Sequence, residues 1–151
     1  MSDEHYLRLA LEQAALAEAL GEVPIGAILV ANGEIIASAH NRTVSDHDPT
    51  AHAEILALRA GGRALGNHRM RGVSLYVTLE PCIMCTGALI QARIDRLIFG
   101  AYDNRIGACG SAFDLARHRR LNHHIHEIKG GVLEDACREQ LQRFFQQKRR
   151  E

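Results

Sequence analysis

The chain has 151 residues, 46% apolar and 24% charged, which is typical of a soluble globular protein, and we expect residues 1–151 to form a single domain. Its 18 basic and 18 acidic side chains balance, which excludes a protein that coats DNA by bulk electrostatic attraction. No apolar run reaches the length of a membrane span and the polar start MSDEHYLRLA is not a signal peptide, so we expect a cytoplasmic protein with no membrane partner.

Hydrophobic periodicity and turn residues predict nine segments of secondary structure. In chain order these are helix 4–20, hairpin 23–41, helix 52–65, strand 73–78, helix 82–93, strand 96–101, a short helical segment 112–117, strand 124–128 and helix 134–149. Ser2 or Asp3 can cap the first helix and Gly21 can end it. Asn32 and Gly33 form the dipeptide that a tight hairpin turn requires.

This order of elements predicts an α/β fold in which one central sheet has helices on both faces. Strands that are separated by a helix should run parallel, beside one antiparallel hairpin.

Cys82 and Cys85 form a Cys-x-x-Cys pair, which occurs both in zinc sites and in redox motifs. The upstream His52 favours zinc, because three protein ligands with an open fourth position define a catalytic zinc site. Cys109 could close the site as a structural fourth ligand, and that alternative stays open. Otherwise Cys109 and Cys137 are expected to be small buried residues.

Helix geometry constrains how His52 and Glu54 could act together. On a regular helix, residues two apart point in directions about 200° apart. The pair can converge only if His52 lies at or before the first turn of a helix whose N-terminus faces the metal. Pro81 suits the first position of the next helix. Glu54 could then move protons for a zinc-activated water, although a lone glutamate at a helix start also serves the helix dipole.

The combination of His-x-Glu with Pro-Cys-x-x-Cys is similar to the motif of the zinc-dependent nucleoside and nucleobase deaminases. Longer segments of the chain, from Glu4 to the final RFF, closely resemble the bacterial tRNA-specific adenosine deaminases. These segments are EVPIGAILV, HNR, HDPTAHAEILALR, LYVTLEPCIMCTGALIQARI, FGAYDNRIGACGS and LNH.

The resemblance implies a three-layer α/β/α deaminase-like fold with a mixed five-stranded sheet. It also implies a homodimer with one Zn²⁺ per subunit and no organic cofactor. The implied reaction is conversion of adenosine to inosine at the wobble position of an arginine tRNA, with the anticodon stem-loop as partner.

The resemblance assigns roles to individual residues. It implies that the metal ligands are His52, Cys82 and Cys85, and that Glu54 is the catalytic proton carrier. The substrate-binding residues that it implies are Asn41, Ile28, Asp103, Asn122, Phe144 and Arg149. Phe145 is implied together with Phe144, although both phenylalanines could equally belong to the core.

Two other functions remain possible at this point. One is a zinc deaminase of a free base or nucleotide, such as guanine, deoxycytidylate or a riboflavin precursor. The other is a structural zinc module that binds RNA without catalysis. The basic segment with Arg117, Arg119 and Arg120 could be an RNA contact or a solvated surface.

Overall fold

Five strands form one mixed sheet in the computed structural model, which describes residues 1–151. The strands are β1 Gly26–Ala31, β2 Glu34–His40, β3 Val73–Leu79, β4 Arg96–Ala101 and β5 Glu127–Lys129. The helices are α1 Asp3–Ala19, α2 Ala53–Leu65, α3 Ile83–Ala92 and α4 Glu134–Arg150. The predicted α/β class and five-stranded mixed sheet are confirmed. None of the helices combines the length and apolar character that a membrane crossing requires.

The strand order across the sheet is β2-β1-β3-β4-β5. As predicted, β1 and β2 form an antiparallel hairpin. β3 pairs in parallel with β4, which follows it after α3, and β4 pairs in parallel with β5, which follows it after a loop. The sequence did not predict that β1 also pairs antiparallel with β3. The first strand of the hairpin is therefore inside the sheet, between β2 and β3, and the second strand, β2, is at the edge of the sheet.

Two apolar clusters cover the two faces of the sheet. Residues of β1 alternate between them: Leu29 belongs to the cluster beneath α2 and α3, whereas Ile28 belongs to the cluster beneath α1 and α4. This alternation follows from the two-residue repeat of a strand. The helices therefore lie on both faces, as the order of elements indicated.

Local boundaries differ from the prediction in three places. The segment predicted as helical over 112–117 contains only a 3₁₀ turn at Leu115–Arg117, and the last strand is shifted to Glu127–Lys129. The position predicted for Pro81 is wrong, because Pro81 precedes the helix and Cys82 is its N-cap. An N-cap has extended backbone geometry, and Cys82 has φ −76° and ψ −179°.

One edge of the sheet collects the chain segments around the predicted site. β1 starts at this edge, and β2, β3 and β4 end there, because β1 runs antiparallel to both of its neighbours. Glu22, four residues before the start of β1, is 1% exposed and accepts hydrogen bonds from the N–H groups of Val44 and Ser45 and from the Ser45 hydroxyl. Glu22 thereby anchors the loop that leads from β2 to α2.

The anchoring by Glu22 makes stability depend on pH. Burial opposes ionisation of Glu22, but the hydrogen bonds from Ser45 and Val44 outweigh it and lower the pKa. A lowered pKa contributes stability above the unfolded value of about 4.3, and this contribution is lost as pH falls through the folded value.

We expect Glu22→Gln to lower the free energy of unfolding at pH 7 by on the order of 2 kcal/mol, the loss expected for hydrogen bonds to a charged group. The difference from the unsubstituted protein should shrink as pH falls below about 4.3. Urea unfolding between pH 3 and 7 measures it, with the exposed Glu34→Gln as the matched control. A difference that stays constant across this range would contradict the prediction.

Candidate active site at the carboxyl edge of the sheet

Two helix N-termini meet at the carboxyl edge of the sheet. His52 is the N-cap of α2 and Cys82 is the N-cap of α3, and neither side chain caps its own helix. The extended backbone of His52, with φ −73° and ψ 153°, removes it from the helical repeat that would have separated it from Glu54. The expectation that His52 lies at or before the first turn is therefore confirmed.

The three predicted ligands converge on one point. His52 Nδ1 lies 3.6 Å from Cys82 Sγ and 3.4 Å from Cys85 Sγ, and the three ligand atoms lie within 4.8 Å of one another. Tetrahedral zinc with ordinary bond lengths places nitrogen and sulfur ligands about 3.6 Å apart. The spacing of His52, Cys82 and Cys85 therefore fits one zinc ion.

The charges around this point also favour a cation. The cluster brings together Cys82, Cys85 and the buried Glu54, and no lysine or arginine forms an ion pair with Glu54. A hydrogen bond from Cys85 lowers the pKa of Cys82 to about 4, whereas the same hydrogen bond raises the pKa of Cys85. A bound cation stabilises both sulfurs as thiolates together.

Cys109 does not supply a fourth ligand. The metal-ligating cluster contains three residues, and Cys109 is buried with its sulfur 3.4 Å from Thr86 Oγ1. Burial raises the pKa of Cys109 to about 12, which makes it a small buried residue, as expected. Cys137, in the first turn of α4, is likewise fully buried. The site therefore keeps an open fourth position, the arrangement of catalytic zinc rather than structural zinc.

Glu54 lies in the first turn of α2 and is 4% exposed. Its carboxylate is not part of the three-ligand cluster. Burial raises the pKa of Glu54 to about 7, with the neighbouring His52 charge opposing the increase and Cys82 adding to it. A bound cation favours the carboxylate form and lowers this pKa. Glu54 is thus a buried carboxyl group beside the metal position, available for proton transfer.

Asn41, at the end of β2, is 5% exposed and connects the hairpin to α2. Its Oδ1 accepts a hydrogen bond of 2.8 Å from the N–H of Ala53, which caps α2 in place of His52. Because Oδ1 is held in this way, the Nδ2 amide remains free to donate to a ligand.

The pocket-wall role of Ile28 stays a prediction. Ile28 is 1% exposed and lies in the cluster beneath α1 and α4, on the face of the sheet opposite to α2 and α3. The segment just before β1 is closer to Asn41, whose N–H donates to Ile25 O at 3.1 Å. Ile25, directly before β1, is therefore an apolar residue that lies beside Asn41.

The remaining predicted contacts divide into two groups. Asp103 and Arg149 lie at the carboxyl edge, but the Oδ1 atom of Asp103 is occupied by the N–H groups of Arg105 and Ile106. The substrate contact of Asn122 stays a prediction. Asn122 lies beside His123, whose Nε2 is 2.8 Å from Ile94 O before the start of β4, at the edge of the sheet opposite the metal ligands.

The substrate contact of Phe144 also stays a prediction, and Phe144 is only 6% exposed and lies in the core. The neighbouring Phe145 is 43% exposed, with the two ring centroids 5.3 Å apart. Of the two phenylalanines, Phe145 is therefore the one that a ligand can contact.

Two buried carboxylates at this edge, Glu22 and Glu80, were not predicted from the sequence, and they are 1% and 2% exposed. The only signal for them in the sequence is their position. Glu22 begins the segment EVPIGAILV, and Glu80 lies directly before the Pro-Cys-x-x-Cys motif. Composition and periodicity do not distinguish a buried glutamate from an exposed one.

Three metal ligands with an open position, beside a buried carboxyl group, define a metal-dependent hydrolytic enzyme. Residues 1–101 match the model of the cytidine and deoxycytidylate deaminase zinc-binding region. A tRNA-specific adenosine deaminase of Haemophilus influenzae is 49% identical over 150 residues, which cover 99% of this chain and 86% of the relative.

Two solved structures are similar to the whole fold. A structure from studies of A-to-I editing by tRNA:A34 deaminases at the wobble position of transfer RNA is 44% identical, with a TM-score of 0.87 over 91% of this chain and 99% of that one. A guanine deaminase from Nitrosomonas europaea is 27% identical, with a TM-score of 0.79 over 95% of this chain and 84% of that one. The chain belongs to the zinc-dependent cytidine and deoxycytidylate deaminase family and, within it, to the tRNA-specific adenosine deaminases.

We expect the purified protein to contain one zinc per chain. Cys82→Ala and Cys85→Ala should each lose the ion, because removing one of three ligands leaves too few donors. Cys109→Ala should retain it, because Cys109 lies outside the cluster. Elemental analysis of dialysed protein measures the zinc content. Loss of zinc from Cys109→Ala would identify a four-ligand structural site instead.

Proposed function

We propose that this enzyme converts adenosine to inosine at the wobble position of an arginine tRNA anticodon. The near-full-length match to tRNA-specific adenosine deaminases carries the proposal. The open metal centre beside Glu54 supports the hydrolytic chemistry. When bound, zinc acidifies a water molecule and so supplies a nucleophile near neutral pH.

Glu54 performs the proton transfers in this proposal. Its carboxylate accepts a proton from the water that attacks C6 of adenine and delivers that proton to N1. It then takes the remaining proton of the water to the amino group, which leaves as ammonia. One buried carboxyl group suffices because both acceptors lie on the same edge of the ring.

Asn41 and the start of α3 orient the base. The free Nδ2 amide of Asn41 donates to an acceptor on the purine, while Oδ1 stays fixed by Ala53. The first-turn N–H groups of α3 have no acceptor within the helix, and they favour negative charge as it develops on the oxygen that attacks C6. These backbone donors are in place before substrate binds.

A basic groove at the same edge of the sheet is suited to the neighbouring nucleotides. It has a volume of about 710 Å³ and runs from the ends of β3 and β4 to the last turns of α4. Arg105, Lys148 and Arg149 line it together with the exposed rings of Tyr102 and Phe145. Cations beside aromatic rings are the usual means of holding a single-stranded nucleic acid. An anticodon loop already presents unstacked bases, which reduces the cost of inserting one into the site.

The proposal includes a homodimer located in the cytoplasm, as the resemblance implies. A mainly apolar groove between α2 and α3 supports the dimer, with Leu58, Met70 and Ala88 among its lining residues. Ile83 and Met84 are also exposed at the start of α3, at 50% and 37%. Large exposed apolar side chains on neighbouring elements are typical of subunit interfaces.

We expect zinc-loaded protein to form inosine at the wobble position of a synthetic arginine-tRNA anticodon stem-loop. Glu54→Gln should retain zinc and lose at least about 100-fold in turnover, because general acid–base catalysis contributes at least this factor. Sequencing of the product RNA and elemental analysis measure the two quantities. Loss of zinc from Glu54→Gln would show that Glu54 is a ligand and that its assigned role is wrong.

Free guanine and deoxycytidylate serve as comparison substrates in the same assay. The guanine deaminase of similar fold makes guanine the more informative of the two. Activity on guanine without activity on the stem-loop would replace the proposed substrate by a small molecule.

We expect Arg105→Ala and Arg149→Ala each to raise KM for the stem-loop several-fold and to reduce the salt dependence of log KM by about one unit of slope, since each removes one phosphate contact. Neither arginine forms an ion pair within the chain, so both are free to bind phosphate. Arg8→Ala, in the exposed Arg8–Glu4 pair of α1, is the matched control. Equal effects of all three substitutions would place the RNA elsewhere.

A further inference from the structure

Glu80 is a buried carboxylate that the chemistry above does not use. It lies two residues before Cys82, is 2% exposed, and forms no ion pair with any lysine or arginine. Burying a carboxylate without a cation is costly unless hydrogen-bond donors satisfy both of its oxygens. The donors around Glu80 therefore indicate its role.

All four side-chain hydrogen bonds of Glu80 come from the loop after β4, residues 102–113, which we call the rim loop. Oε1 accepts from the N–H of Asp103 at 3.0 Å and from the Ser111 hydroxyl. Oε2 accepts from the N–H groups of Cys109 at 3.0 Å and Ser111 at 3.1 Å. One carboxylate thus holds both ends of the rim loop.

The rim loop is fitted closely around Glu80 and the start of α3. A Cβ at Gly107 would overlap the carboxylate carbon of Glu80, so this position requires glycine. The N–H of Ala108 donates to Pro81 O at 2.8 Å, and Cys109 Sγ contacts Thr86 Oγ1 at 3.4 Å. The loop is therefore attached to the segment that carries Cys82 and Cys85.

The outer side of the rim loop faces solvent with groups suited to RNA. Tyr102, Ile106 and Phe113 are between 47% and 55% exposed. Tyr102 and Arg105 also line the basic groove. The conformation that Glu80 imposes therefore sets where these groups stand relative to the metal ligands.

We propose that Glu80 is a positioning residue for substrate binding, which holds the rim loop in one conformation between the metal centre and the basic groove. This inference rests on the proposed function, because the loop matters only if a polynucleotide spans both places. Glu80 neither touches the base nor binds the metal. Its contribution belongs to the binding of the stem-loop rather than to the chemical step.

Glu80→Gln tests the inference, because glutamine keeps the size of the side chain but turns an NH₂ group toward two donors. We expect KM for the stem-loop to rise roughly tenfold or more, the equivalent of losing hydrogen bonds to a charged group. Turnover at saturating stem-loop should change less than about threefold, and zinc content should not change. A fall in turnover with KM unchanged would overturn the inference.

Hydrogen exchange of the free protein gives a second readout that needs no substrate. We expect the amides of Cys109 and Ser111 to exchange faster in Glu80→Gln, with α1 and β1 unaffected. Val132→Ala, in the cluster beneath α1 and α4, is a stability control that should lower the unfolding temperature without raising KM. The inference would be overturned if the amides of Cys109 and Ser111 exchanged as slowly in Glu80→Gln as in the unsubstituted protein. It would also be overturned if Val132→Ala raised KM for the stem-loop as much as Glu80→Gln does.

Ser111→Ala keeps the experiment decisive if Glu80→Gln does not fold. It removes only the hydroxyl donor, so we expect the same changes in KM and exchange at smaller amplitude. Unchanged values in this variant would count against the positioning role. If the unsubstituted protein forms no inosine, the proposed substrate is wrong, whereas the exchange result still tests how Glu80 holds the loop.

Discussion

The convergence of two helix N-termini on one metal position is the constraint on which the rest of the site depends. His52 and Cys82 are both N-caps with extended backbone, so their side chains leave the helical repeat and turn toward each other. His52 Nδ1 lies 3.6 Å from Cys82 Sγ and 3.4 Å from Cys85 Sγ, and these distances are those of ligands around one ion. Without a cation, two thiols and a buried carboxyl group would repel one another as they ionise. Zinc is therefore part of the electrostatic balance of this edge as well as of the chemistry.

The arrangement of the sheet makes that convergence possible. β1 lies inside the sheet and antiparallel to β3, so the start of β1 and the ends of β2, β3 and β4 share one edge. Asn41, the metal ligands and the rim loop come from different parts of the chain and meet there. Asn41 has two roles at this edge. Its Oδ1 accepts the hydrogen bond that caps the N-terminus of α2, while its amide nitrogen remains free to bind a ligand.

Three buried glutamates at this edge have separate tasks. Glu54 lies beside the metal position and transfers protons in the proposed reaction. Glu22 holds the loop before α2, and Glu80 holds the rim loop after β4, each through backbone N–H groups rather than cations. Buried carboxylates that are satisfied by backbone donors order a loop strongly, because losing the acceptor leaves several donors without a partner. Rigid loops on both sides of the metal favour a substrate whose shape is already defined, such as an anticodon loop.

The sequence by itself determined the α/β class, the helix and strand order, the three metal ligands and the family. These features depend on local signals, namely periodicity, cap residues and the spacing of Cys82, Cys85 and His52. The tertiary structure alone decided the pairing of β1 with β3, the side of the sheet that Ile28 faces, and the edge on which Asn122 lies. It also decided that Phe144 is buried and Phe145 exposed, and that Glu22 and Glu80 are loop anchors. The physical reason is that burial and pairing between distant segments depend on how elements pack, and no local pattern records that packing.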